Sequence, residues 1–168
     1  MVSPELIRRY TFFSGLNHDQ ITLISKSAKE GSFDKGHYFF HEEEDLNYFY
    51  LITDGNVSIN LEITDRDEEQ PVSKQLTGDL KTKEIKITTL GVGEVFGISA
   101  IISPNTSTSC AKAETACKVI LFDCDHLKGV CESDYQFGYI MIQKAAQVIR
   151  DRLRNIYIEN IADLIKSN

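Results

Sequence analysis

From Gly31 onward the chain repeats short runs of alternating or β-prone residues, and glycine-centred turns separate them. Ser32-Phe33 is followed by the turn Asp34-Lys35-Gly36 and by His37-Tyr38-Phe39-Phe40. The acidic corner His41 to Asp45 precedes Tyr48 to Ile52. Asp54-Gly55 is a strong hairpin signal, and Val57 to Ile63 alternates cleanly after it. Ile85 to Leu90, Thr108 to Ala113 and Cys117 to Phe122 complete the set, the last two joined by Glu114-Thr115-Ala116. Short strands at regular spacing with glycine turns predict a β-barrel or jelly roll.

Helical periodicity flanks this β region on both sides. Ser3-Pro4-Glu5 has the order of an N-cap, a first-turn proline and an acidic first turn, and Asn17 caps a second helix carrying Ile21, Leu23, Ile24 and Ala28. From Asp134 the pattern is helical nearly to the end. Ile142, Ala146, Ile149, Leu153, Ile156 and Asn160 follow steps of 4, 3, 4, 3 and 4, a coiled-coil seam with one polar layer. The barrel can cover only the first half of such a helix, so a parallel homodimer through the second half is expected. The expected organisation is N-terminal helices over 1–30, a barrel over 31–132 and a C-terminal helical segment over 133–168. Within the barrel, residues 64–84 are polar and form an excursion too poor in apolar residues to add to a core.

The densest information lies in Leu90 to Glu114. Gly91, Gly93 and Gly97 let backbone come close to a neighbour or a ligand, Ile98 to Ile102 is a short apolar turn, and Ser103-Pro104-Asn105 breaks it before the next strand. A helical turn opening after Gly97 aims unpaired N–H groups forward, a geometry suited to an anion. At this point the chain resembles the cyclic nucleotide-binding domains of the catabolite activator protein and of kinase regulatory subunits. Their phosphate-binding cassette runs F-G-E, a small residue, two aliphatics, and then P-R-[STA]-A.

Phe96-Gly97 matches the opening, Ser99-Ala100-Ile101-Ile102 the turn, and Thr108-Ser109 the pair after the arginine. The resemblance extends to Phe12-Phe13-Ser14-Gly15-Leu16 before the second helix, Gly55-Asn56-Val57, Asp123 to Leu127, and Arg152-Leu153. It implies a mainly β fold with flanking helices: a double-stranded β-helix (jelly-roll, cupin-like) barrel plus a long C-terminal helix. It also implies a ligand site at Gly97, Ile98, Ser99, Ala100, Ser107, Thr108 and Ser109. The C-terminal helix caps the base in that family, a role that falls at Ile156 and Tyr157 here.

Two charged members of the pattern are replaced. Ile98 stands at the ribose-binding glutamate and Ser107 at the phosphate-binding arginine. A hydrogen bond to a charged group contributes roughly 1.5–3 kcal/mol, so losing both weakens cAMP or cGMP binding by about two to four orders of magnitude. Lys112 is the nearest cation and substitutes for the arginine only if it faces inward. The expectation is a non-catalytic regulatory sensor with weak or lost cyclic nucleotide binding; the alternative is a dimerisation or docking scaffold without a small ligand.

Other classes find less support. The net charge is −7, from 18 basic and 25 acidic side chains without a basic face, and no helix-turn-helix follows the long helix, so direct nucleic-acid contact is not expected. His37 and His41 suggest a cupin-type metal enzyme, but residues four apart on a strand stand ~13 Å apart, whereas zinc ligands lie about 2 Å from the metal. No metal site and no catalytic residue are expected, since none of the four histidines sits in a motif with a serine or cysteine. Cys110, Cys117, Cys124 and Cys131 recur every seven residues across two strands and a loop and contain no C-x-x-C pair, so they are expected as small buried residues. With no signal-like N-terminus and no apolar run of ~18 residues, the expected location is the cytoplasm, off the membrane.

Overall fold

The structure, a computed structural model, describes residues 2–64 and 82–166. It opens with α1 (Pro4–Arg8), a 3-10 turn (Thr11–Phe13) and α2 (His18–Ser27). The α2 start is a full capping box: Asn17 Oδ1 accepts from the Gln20 N–H at 2.9 Å, and Gln20 Oε1 accepts from the Asn17 N–H at 3.1 Å. Ser3 precedes α1 without a side-chain cap, so Pro4 and the first-turn acid Glu5 mark that start.

Among the described residues, eight antiparallel strands form two sheets. They are β1 (Ala28–Phe33), β2 (Tyr38–Phe40), β3 (Tyr48–Asp54), β4 (Val57–Thr64), β5 (Thr82–Leu90), β6 (Val95–Phe96), β7 (Cys110–Ala113) and β8 (Cys117–Asp123). One sheet has the order β1-β8-β3-β6 and the other β2-β7-β4-β5, so the fold is mainly β, the jelly roll expected. The β4–β5 pair extends to Thr64↔Thr82, which places the ends of the predicted 64–84 excursion in the ladder; its remainder lies outside the described residues.

The central strands of the first sheet, β3 and β8, are buried on both faces over most of their length, whereas edge strand β1 is largely exposed. Phe49 and Phe122 stack at 4.6 Å on one face, against Phe13 and Phe12 of the 3-10 turn at 5.1 and 5.8 Å. On the other face Tyr50 stacks on Phe96 at 4.8 Å and meets Phe39 of the second sheet's side at 5.3 Å. This double burial explains why Tyr48–Ile52 and Cys117–Phe122 are nearly continuous apolar runs. The second sheet packs its inner face into the core with Phe40, Val57, Ile59, Ala111 and Ala113, and Ser58, Asn60 and Cys110 of its outer face are buried as well.

The helices α3 (Cys124–Ser133) and α4 (Tyr135–Lys166) follow. Asp123 caps α3 through the N–H groups of Asp125 and His126, both at 3.1 Å. Asp134 starts α4, accepting from the Phe137 N–H at 2.9 Å, and its other oxygen accepts from buried Gln20 at 3.1 Å, which ties α4 to α2. Phe137, Met141 and Ala145 bury the inner face of α4. The 32-residue helix is ~48 Å long at about 1.5 Å per residue, and its other face carries exposed Ile142, Ile149, Leu153, Tyr157 and Ile161. Among the described residues no helix is long and apolar enough to cross a membrane.

Candidate functional site

The cassette begins on a residue whose backbone and close neighbours favour glycine. Gly97 has φ 72° and ψ 26° in the left-handed region, and a Cβ there would lie 3.1 Å from the Tyr48 carbonyl oxygen and 3.2 Å from the Tyr50 ring. It leads from β6 into a 3-10 turn, Ile98–Ile101. The Ala100 N–H donates to the Gly97 carbonyl at 3.0 Å, so this amide is spent within the turn. Asn105 closes the turn, its side-chain amide donating to the Ala100 carbonyl at 2.8 Å.

Ile98 is 6% exposed and belongs to the continuous core. Its aliphatic side chain packs among apolar neighbours. Tyr50, close by, is also buried, and burial pushes its phenol up to about 12.

Ser107 is 4% exposed and fully occupied. Its hydroxyl donates to the His41 carbonyl and accepts from the Glu44 N–H at 3.0 Å. Its backbone N–H donates to the Glu44 carbonyl at 2.8 Å, and its carbonyl accepts from the Glu43 N–H at 3.1 Å. The residue in the arginine position is thus a staple between the end of the cassette and the acidic 41–44 turn. Ser107→Ala is expected to destabilise the protein by about 1–2 kcal/mol, since it strands the Glu44 N–H and the His41 carbonyl. A denaturant midpoint shift at unchanged slope checks it.

Thr108 is exposed, while Ser99 and Ser109 are half-buried. Lys112 faces away from the core. Register pairs it with Ser58 and Tyr38, its Nζ donates to the Tyr38 hydroxyl at 2.6 Å, and Glu84 lies 3.8 Å away. It therefore cannot stand in for the arginine from inside the barrel.

The described surface has grooves at three places that bear on the site. One, of about 250 Å³, lies under α4 between Gly93-Glu94-Val95 and Lys144, Asp151 and Arg152. A second, of about 290 Å³, separates Ile101 from α3 and α4. The third, of about 550 Å³, is on the outer face of the second sheet around Ser58, Asn60, Glu84 and Lys112. None of the three is walled by Gly97, Ile98, Ser99, Ala100, Ser107, Thr108 or Ser109. Ile156 is half-buried and Tyr157 is 58% exposed, and neither lines these grooves.

Sequence reasoning missed Arg152 as an anchor. Its guanidinium donates to the Val95 carbonyl, pinning α4 to β6 next to the cassette, and burial lowers its pKa while Glu94 opposes that. Only the fold brings positions 95 and 152 together.

The sequence model of the cyclic nucleotide-binding domain matches residues 30–134, more than half of the chain. The chain belongs to the cyclic nucleotide-binding domain family. It is 26% identical over 161 residues to a CRP-like cAMP-activated global transcriptional regulator of Mycobacterium tuberculosis, a match covering 96% of this chain and 62% of that protein. A putative cyclic nucleotide-binding protein from Geobacter metallireducens shares the fold with a TM-score of 0.74 at 24% identity, covering 91% of this chain and 99% of that one. The regulatory subunit of a cAMP-independent protein kinase A from Trypanosoma brucei aligns with a TM-score of 0.64 at 16% identity, over 95% of this chain and 49% of that one.

Proposed function

We propose that this cyclic nucleotide-binding-fold chain is a non-catalytic, cytoplasmic regulatory sensor domain whose cassette has lost tight cAMP and cGMP binding. The observation that carries the reading is the state of the two replaced positions. Ile98 packs into the core, and both hydrogen-bonding directions of the Ser107 hydroxyl are used within the protein. A cyclic phosphate brought to the cassette meets neither a guanidinium nor a ribose carboxylate, and must compete with the protein's own bonds.

The output element is α4. Arg152 and the buried face of Phe137, Met141 and Ala145 couple it to the barrel beside the cassette. Its exposed Ile142, Ile149 and Leu153 face is proposed to pair with a second copy of the chain rather than with nucleic acid. The same exposed face, together with buried Ile98, favours the second reading, a dimerisation or docking scaffold that answers to no small ligand.

Thermal melting with and without cAMP or cGMP tests the nucleotide claim. A ligand at 100 times its Kd stabilises a fold by about 2.7 kcal/mol, so a micromolar binder at sub-millimolar concentration gives a clear upward shift. The expected result is an unchanged melting temperature. A rise of several degrees contradicts the reading.

A further inference from the structure

The outer face of the second sheet holds a donor cluster that the nucleotide reading does not use. β7 lies between β2 and β4, and Cys110 sits at the first position of β7, opposite Asn60. Phe40 pairs with Ala111 and points into the core, so His41, one residue on, comes to the outer face beside Cys110. Glu62 is two residues beyond Asn60 on β4 and therefore on the same face. The Glu62 Oε1 atom lies 2.9 Å from Cys110 Sγ and 3.1 Å from His41 Nδ1, and the three donor atoms all lie within 4.8 Å of one another.

We propose that His41, Glu62 and Cys110 form a binding site for a single zinc ion, with water in the fourth position. One thiol, one imidazole and one carboxylate are the donor types zinc takes, and the sulfur and nitrogen exclude magnesium and calcium as preferred occupants. Bonds of about 2.0–2.3 Å in a tetrahedron put neighbouring donors roughly 3.3–3.7 Å apart, so the cluster needs adjustments of about an ångström. Cys110 is fully buried, whereas the His41 and Glu62 side chains are 47% and 28% exposed, which leaves the ion an entry path from solvent.

Supporting contacts already hold the ligands. The Glu42 and Glu44 carboxylates accept from the Glu62 and His41 backbone N–H groups, each at 3.1 Å. Without metal the Cys110 thiol donates to the Glu62 carboxylate. On binding, the S–H bond breaks, the Zn–S bond forms and the proton leaves to solvent, while His41 binds as the neutral ring. His37 takes no part, being stacked on Phe33 at 4.5 Å. The His41 carbonyl accepts from the Ser107 hydroxyl, so an ion here clamps the 41–44 turn at the foot of the cassette.

The test uses the whole chain, stripped with chelator and titrated with Co²⁺ and then Zn²⁺. One equivalent of Co²⁺ should give a thiolate-to-cobalt charge-transfer absorption that Zn²⁺ removes. Cys110→Ser should abolish it. Because Cys110 is buried and its variant can fail to fold, exposed His41→Ala and Glu62→Gln provide the second arm. Each should weaken Zn²⁺ binding beyond the roughly 10–100-fold typical of losing an outer-shell partner. Absence of the absorption in the folded chain overturns the proposal, as does an absorption that survives His41→Ala and Glu62→Gln at unchanged affinity.

Discussion

Phe122→Ala is expected to cost about 3–5 kcal/mol, the range for emptying a buried aromatic site. Phe122 is fully buried, stacks on Phe49 at 4.6 Å and meets Phe13 at 5.1 Å, so one side chain joins β8, β3 and the N-terminal helical turn. For a chain of this length the loss corresponds to a melting point about 6–20 °C lower, a large share of a typical total stability of about 5–15 kcal/mol. Chemical denaturation of the variant measures it. A cost under about 1 kcal/mol would mean that the helices do not clamp the outer face of the first sheet, and that the double burial inferred for it is wrong.

The second large effect concerns association. Wild-type chain is expected to sediment as a dimer, and Ile149→Glu/Leu153→Glu as a monomer with unchanged circular dichroism. Both residues are about half exposed on a helix that the barrel covers only on its opposite face, at 49% and 47%. Each apolar side chain buried in a dimer contributes about 1.5–3 kcal/mol and appears twice. Glutamates facing their own copies reverse that gain, so the dissociation constant should rise by more than about 100-fold. A monomeric wild type, or a variant that stays dimeric, contradicts pairing through α4.

Much of the fold was legible before any coordinates. Asn17 marked the start of α2, and the 4-3 spacing from Ile142 to Leu153 marked a face left over after the barrel is covered. Asp54-Gly55 read as a hairpin, but β3 and β4 lie in different sheets, so this turn carries the chain from one sheet to the other. β6 was not legible, because Val95-Phe96 between Gly93 and Gly97 is too short to show a period. The glycine at 97 announced a close approach, and the Tyr48 carbonyl and Tyr50 ring are what it approaches.

The site was legible only as a pattern of replacements. A sequence says that Ser107 is not arginine; it does not say that the hydroxyl bonds to residues more than sixty positions earlier. Lys112 is a similar case, since whether it points in or out depends on its pairing with Tyr38 and Ser58. Glu62 and Cys110 stand on β4 and β7 and His41 just after β2, and their convergence is a property of the β2-β7-β4 order. Spacing along the chain instead paired His41 with His37, whose ring stacks on Phe33.

Calorimetric titration of the chain with cAMP, and in parallel cGMP, carried to millimolar ligand, tests the central claim most directly. The account predicts no binding heat below millimolar concentration from protein that is folded throughout. Micromolar binding of either nucleotide would contradict it, and would mean that Ile98 and Ser107 rearrange, or that the backbone of the cassette alone holds the phosphate.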